Sequence, residues 1–279
     1  MTTVAIAGAG EIGGAAAHAL AASDRVGRLL LVDPAAAAAA GKALDIRQAG
    51  AIGGFHTRLE GSDDGTRVAG CAACIVADRV GGGEWRGEEG LALLRQLNPC
   101  LDRAPVVFAG ADQGDLLAIA ASELGIERRR LIGSAPEAFA SAVRAIVALE
   151  ANCSPRDVML AVLGAPSKLV VPWSEASIGG YALQQILSPV QLARVEARVA
   201  HLWPPGPSAL GVAAAHLVVA LLSSARRSFS VLTQLDGEFG VRNRPGCLPA
   251  RLCPSGIAEA RVPELSTRER VHVQTALGA

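Results

Sequence analysis

Residues 4–13 read Val4-Ala5-Ile6-Ala7-Gly8-Ala9-Gly10-Glu11-Ile12-Gly13, and an alanine-rich run follows as far as Ala22. An apolar strand thus enters a glycine turn that opens a helix. In such a turn Gly8 permits the sharp reversal, Gly10 lets backbone N–H groups approach a pyrophosphate, and Gly13 lets the helix pack closely on the strand. The helix dipole favours an anion at that end. The hexapeptide alone is weak evidence; its context makes it strong. Asp33 closes the next apolar run, 20 residues beyond Gly13, where a carboxylate accepts hydrogen bonds from the adenosine ribose hydroxyls. A carboxylate there repels a 2′-phosphate, so the expected cofactor is NAD(H) rather than NADP(H). Gly8, Gly10, Glu11, Ile12, Gly13 and Asp33 are the candidate cofactor residues. A second reading retains the turn for packing alone, without a cofactor.

Outward from the turn, short β-rich runs alternate with helical stretches. Residues 4–7, 29–32, 55–59, 74–77 and 105–109 read as strands, and 12–22, 35–48, 88–97 and 116–124 as helices. This alternation predicts a parallel sheet with right-handed crossovers, a Rossmann-type doubly wound α/β fold. The second half predicts an α+β domain. Its helices fall at 136–151, 210–226 and from Ser266, with strands at 158–163, 169–171, 229–235, 247–253 and 258–262. Ser266 with Glu269 three residues on has the form of a capping box. The expected division is a dinucleotide-binding domain over 1–134 and a substrate-type domain over 135–279.

Composition narrows the classes. The chain has 279 residues, 51% hydrophobic and 19% charged, enough for a large core. Lys+Arg and Asp+Glu number 26 each, so no net field draws it to nucleic acid or an anionic membrane. No apolar stretch reaches the roughly 20 residues of a bilayer span, and a cytoplasmic location is expected. Six scattered cysteines suggest reduced thiols rather than a disulfide frame. Cys71 and Cys74 form a C-x-x-C that leads into an apolar strand with no second pair at zinc spacing, so packing is expected and no metal.

The glycine turn, Asp33 and the run Gly41-Lys42-Ala43-Leu44-Asp45-Ile46-Arg47-Gln48-Ala49 resemble the amino-terminal part of the lactate/malate dehydrogenase family, closest to bacterial malate dehydrogenases. Pro207-Ser208-Ala209, Leu235-Asp236-Gly237-Glu238-Phe239-Gly240-Val241 and Gly256-Ile257-Ala258-Glu259 resemble its carboxy-terminal half. The resemblance spans nearly the whole chain and implies NAD as cofactor and a homo-oligomer, dimer or tetramer. It also implies a histidine that accepts the hydroxyl proton, an aspartate that orients it, an arginine that grips the substrate carboxylate, and an asparagine near the nicotinamide.

None of the four is where the resemblance places it. Val162-Leu163-Gly164 and Val171-Pro172 bracket the histidine position and put Pro166 on it. Phe139 takes the aspartate position, Ala142 the arginine position, and Gly110 that of the asparagine. Arg144 can stand in for the arginine only with a bulge, because two residues along a helix turn a side chain by about 200°. The family's mobile loop corresponds to residues 79–89, with Arg86 a rough counterpart of its arginine and the consecutive glycines Gly81, Gly82 and Gly83 that make an ordered closed state entropically costly. Lys168, His216 and Arg86 are the residues available as relocated substitutes.

The set of losses predicts a NAD(H)-binding homologue without 2-hydroxy-acid hydride transfer, a pseudoenzyme acting as sensor or structural subunit; a small-molecule substrate is not expected. The alternatives are an oxidoreductase with relocated catalytic residues and a scaffold subunit paired with an active relative.

Overall fold

The computed structural model of the chain describes residues 2–224 and 226–278. The first half runs β1 (Thr3–Ala7), α1 (Glu11–Ala22), β2 (Arg28–Val32), α2 (Ala36–Gly53), β3 (Arg58–Ser62), β4 (Ala73–Val76), α3 (Gly87–Leu101), β5 (Val106–Phe108), α4 (Gly114–Glu123) and β6 (Leu131–Gly133). The second half runs α5 (Ala135–Ala151), β7 (Val158–Met159), β8 (Leu163–Ala165), β9 (Lys168–Val170), β10 (Ser177–Ile178), β11 (Tyr181–Ala182), α6 (Leu183–Ile186) and α7 (Pro189–Val199). It ends with α8 (Pro207–Ser223), β12 (Phe229–Asp236), β13 (Arg242–Cys253), β14 (Gly256–Ala260) and α9 (Thr267–Leu277).

The six strands of the first half are parallel in the order β3-β2-β1-β4-β5-β6. That order reverses beside β1, and in open α/β sheets ligands bind in the crevice at such a switch point. Alternate residues of each strand bury on opposite faces. Ile6, Leu31 and Ile75 join α1 and α8 in one core layer, while Leu30, Val76 and Phe108 meet Leu94, Leu97 and Leu117 of α3 and α4 in the other. The α1–α8 crossing is close because residue 211 is glycine: a Cβ there would lie 2.5 Å from the Ile12 carbonyl oxygen.

Beyond β6 the same sheet continues antiparallel through β12, β13, β8 and β9, with Leu232 opposite Gly133. A separate three-stranded sheet, β11-β10-β7, lies beside α5 and α7. The expected strand over 158–163 is therefore two strands of two different sheets. The expected strand over 55–59 begins three residues later, and the helix expected to start at 88 runs through Pro99 to Leu101. The helix expected over 210–226 starts at Pro207 and ends at Ser223; residue 225 of that expectation lies outside the described residues. Helix α7 was not anticipated at all, although Ser188 and Gln191 form a full capping box with Pro189 in the first turn. None of the helices described is long and apolar enough to cross a membrane.

Candidate functional site: a filled glycine turn and a cavity without an imidazole

The turn after β1 has the backbone the sequence predicts. Gly8 has φ +107°, and a Cβ on Gly13 would lie 2.0 Å from the Gly8 carbonyl oxygen, so helix α1 packs against the strand end as only glycine allows. Lys42 of the α2 run donates from Nζ to the Gly10 carbonyl at 2.7 Å.

The anion position in front of this turn is taken by the chain itself. Asp78, directly after β4 and the residue Ala77, accepts from the Glu11 N–H at 2.8 Å and from the Gly13 N–H at 2.9 Å. Its carbonyl accepts from Gly10 N–H at 2.9 Å. A Cβ on Gly10 would meet the Asp78 carboxylate at 2.3 Å, so the gap that glycine opens is filled by that carboxylate. Asp33 is equally engaged. It is 1% exposed and accepts from the N–H groups of Ala9, Ala35 and Val80 at 2.9, 2.9 and 3.0 Å.

The loop that follows Asp78 is closed over the crevice, against the expectation of a costly ordered state. Arg79 pairs with Glu89 at 2.8 Å and lies over the Trp85 ring. Glu84 accepts from the N–H groups of Ala111 and Asp112, both at 2.9 Å, at the amino end of α4. Gln113, 1% exposed, donates to the carbonyls of Ala77 and Trp85 and accepts from Gly110 N–H. Of Gly81, Gly82 and Gly83 only Gly81 has positive φ, +67°, and Gly87 follows at +54°; many local bonds offset the entropy of ordering the loop. Beside the loop a cavity of about 330 Å³ remains, lined by Val32, Pro34, Asp63, Arg79, Trp85 and Gln96 among others.

A second cavity, of about 810 Å³, lies under the β8–β9 hairpin, lined among others by Arg86, Asp112, Asp115, Pro166, Trp203 and Arg244. Pro166 and Ser167 form the two-residue tip, with Ala165 opposite Lys168 and Ser167 at φ +63°. The Pro166 ring packs on the first turn of α4, where a Cβ on Gly114 would come within 3.0 Å of it. Arg86 and Asp112 approach each other at 3.5 Å. Among the described residues that line this cavity there is no histidine.

No family model matches the chain. Among curated proteins, a malate dehydrogenase of Thermomicrobium roseum is 28% identical over 99% of this chain and 95% of its own length. Among solved structures, malate dehydrogenase from Aeropyrum pernix superposes with a TM-score of 0.89 at 21% identity, covering 99% of this chain and 95% of that one. The minor L-lactate dehydrogenase of Enterococcus mundtii superposes at 0.86 and 19% identity with the same coverage. The chain is thus similar over nearly its whole length to malate dehydrogenases and has the fold of malate and lactate dehydrogenases.

At the positions where the family resemblance expects catalytic groups, the side chains sit as follows. Phe139 is 4% exposed, its ring 6.4 Å from that of Trp203, and it packs with Val143, Val195 and Leu183. Ala142 and Pro166 are half-buried. Glu84 occupies the space beside Gly110, where a Cβ would lie 2.1 Å from Glu84 Oε2, so an asparagine there requires the Glu84 side chain to move. Arg144 turns to the buried Glu137 at 2.9 Å, and Glu137 also accepts from Ser230 N–H. Arg144 is thus committed to another partner.

Of the substitutes, Lys168 is exposed on the hairpin and Arg86 is exposed at the start of α3. His216 lies against Arg227, its ring edge-on to Phe229. Burial, and then the Arg227 charge, hold its pKa below the ordinary imidazole value. The structure brings Arg86 and Pro166 into one cavity and does not add Lys168 or His216 to it. Cys71 and Cys74 are free, and burial pushes the Cys71 thiol up to about 11, away from thiolate chemistry.

Sequence reading missed Asp78, Glu84, Gln113 and Arg244. Only Asp78 carried a usable signal, as a bulky charged residue at the end of the strand beside the glycine turn, where a close approach of backbone or ligand calls for a small one.

Proposed function

We propose that this chain is a family member that no longer transfers hydride to or from a 2-hydroxy acid and serves a structural, non-catalytic role. The observation that carries the reading is the cavity beneath Pro166, which holds two arginines, two exposed carboxylates and no imidazole. General-base catalysis contributes roughly 10²- to 10⁴-fold to such a reaction, and the missing bidentate arginine removes substrate grip as well. Phe139 supports the reading from the other side: an apolar ring fills the place of a carboxylate that would have no partner.

Relatives named malate dehydrogenase imply NAD at the turn, where Gly8, Gly10, Glu11, Ile12, Gly13 and Asp33 are the residues that would hold it. Those residues, as arranged, do not fit the group. A pyrophosphate and the Asp78 carboxylate compete for the same two N–H groups, and a ribose competes with Val80 for Asp33. No step of a reaction is therefore assigned to the dinucleotide here. The test is a panel of 2-oxo and 2-hydroxy acids with millimolar NAD(H) and NADP(H). No rate above the blank is expected, and turnover of any member refutes the proposal.

A further inference from the structure

We propose that Asp78 is a resident anion of the glycine turn: its carboxylate takes the N–H groups a pyrophosphate would take, while residues 79–85 are held across the crevice by bonds of their own, so the chain excludes dinucleotides. The inference rests on the reading of residues 8–13 as a dinucleotide turn; it concerns binding, whereas the proposed function concerns chemistry.

Three observations carry it. The first is the substitution of partners. Both Asp78 carboxylate oxygens are spent on Glu11 and Gly13 N–H groups, at the amino end of a 12-residue helix whose dipole favours a negative charge. The second is the immobility of the residue that supplies the anion. Ala77 N–H bonds the Ala7 carbonyl at 2.9 Å and Gly10 N–H bonds that of Asp78, so the backbone of Asp78 cannot leave while the sheet is intact. Rotating the side chain out would still leave its charge beside incoming phosphates. The third is that the rest of the loop is tied independently of Asp78. Val80 is held by Asp33, and Glu84 by the amino end of α4, where its carboxylate occupies the room beside Gly110.

A ligand that binds only the open form has its affinity reduced by the fraction of molecules that are open. Two hydrogen bonds to a charged carboxylate lower that fraction by roughly 100-fold or more. Asp78 does not lie at positive φ, so a smaller residue fits its backbone without strain.

The experiment uses the full chain as wild type and as Asp78→Gly, Asp78→Ala and Asp78→Asn. NADH is titrated while following quenching of tryptophan fluorescence, to which the loop residue Trp85 contributes, and ADP-ribose is titrated by calorimetry. Wild type is expected to give no saturable signal at millimolar ligand. Asp78→Gly and Asp78→Ala are expected to bind ADP-ribose at least roughly 100-fold more tightly, with Asp78→Asn between them and wild type, since it keeps the shape and loses the charge. Saturable micromolar binding of NADH by wild type overturns the inference, as do folded Asp78→Gly and Asp78→Ala proteins that stay silent. If the variants do not fold, hydrogen exchange on the wild type decides. The Glu11 and Gly13 amides are expected to be protected and unmoved by ADP-ribose, and fast exchange or a ligand-induced change overturns the plug. NADH binding without turnover removes this inference and spares the proposed function; turnover removes both.

Discussion

At the glycine turn the chain keeps the backbone of a nucleotide site and fills it with one side chain; under the β8–β9 hairpin it keeps an open cavity and has no imidazole in it. The first change is concentrated in Asp78, with Asp33 and Glu84 as anchors. The second is spread over Phe139, Ala142, Pro166 and Gly110, on different elements. The contrast teaches that, on the readings proposed above, binding and chemistry would be lost by unlike means. One substitution can empty the turn, whereas no single substitution restores a proton acceptor, its orienting carboxylate and a guanidinium fork together.

The comparison breaks first at Phe139. If its ring is true core, Phe139→Ala lowers stability by about 3–5 kcal/mol, read from thermal or denaturant unfolding; a change near zero would mean that the catalytic region is still a loosely filled pocket. Asp33→Ala comes next. It strands the N–H groups of Ala9, Ala35 and Val80, and a loss of about 3 kcal/mol is expected in the same melts.

Asp78→Gly sharpens the contrast, because its two effects have opposite signs. The melt is expected to fall by about 3 kcal/mol for the two lost hydrogen bonds to the carboxylate, while nucleotide affinity rises and turnover stays at the blank.

His216 tests a smaller effect. Its folded-state pKa is lowered by burial and by Arg227, so as pH falls below 6.5 the unfolded chain takes up a proton that the folded chain refuses. Stability is full above that pH and declines below it; His216→Gln should flatten the decline in melts taken across the range. Lys168→Ala should do least, within about 0.5 kcal/mol and without effect on any nucleotide signal. A larger effect on either would return the hairpin lysine to the cavity's chemistry.

The doubly wound half was legible because strand runs, a glycine turn and Asp33 fall at spacings set by backbone geometry. Asp33 was read as free to meet a ribose, and its three backbone donors come from segments that only the fold assembles. Asp78 was passed over for the same reason, since its acceptor role depends on N–H groups more than sixty residues earlier in the chain. Between residues 158 and 165 an unbroken apolar run conceals a change of sheet, and near 188 a shortened segment hides the capping box of α7. The replacements at Phe139, Pro166 and Gly110 were visible as residue types. What replaces them in space, such as Glu84 against Gly110, was not.

The pairing of Leu232 with Gly133 makes a single plate of the sheet from β3 to β9. That continuity links the strands that carry the glycine turn to the strands that carry the β8–β9 hairpin. If Asp78 plugs the turn as proposed, access to the crevice is decided by the eight residues 78–85, a latch set at the rim of that sheet.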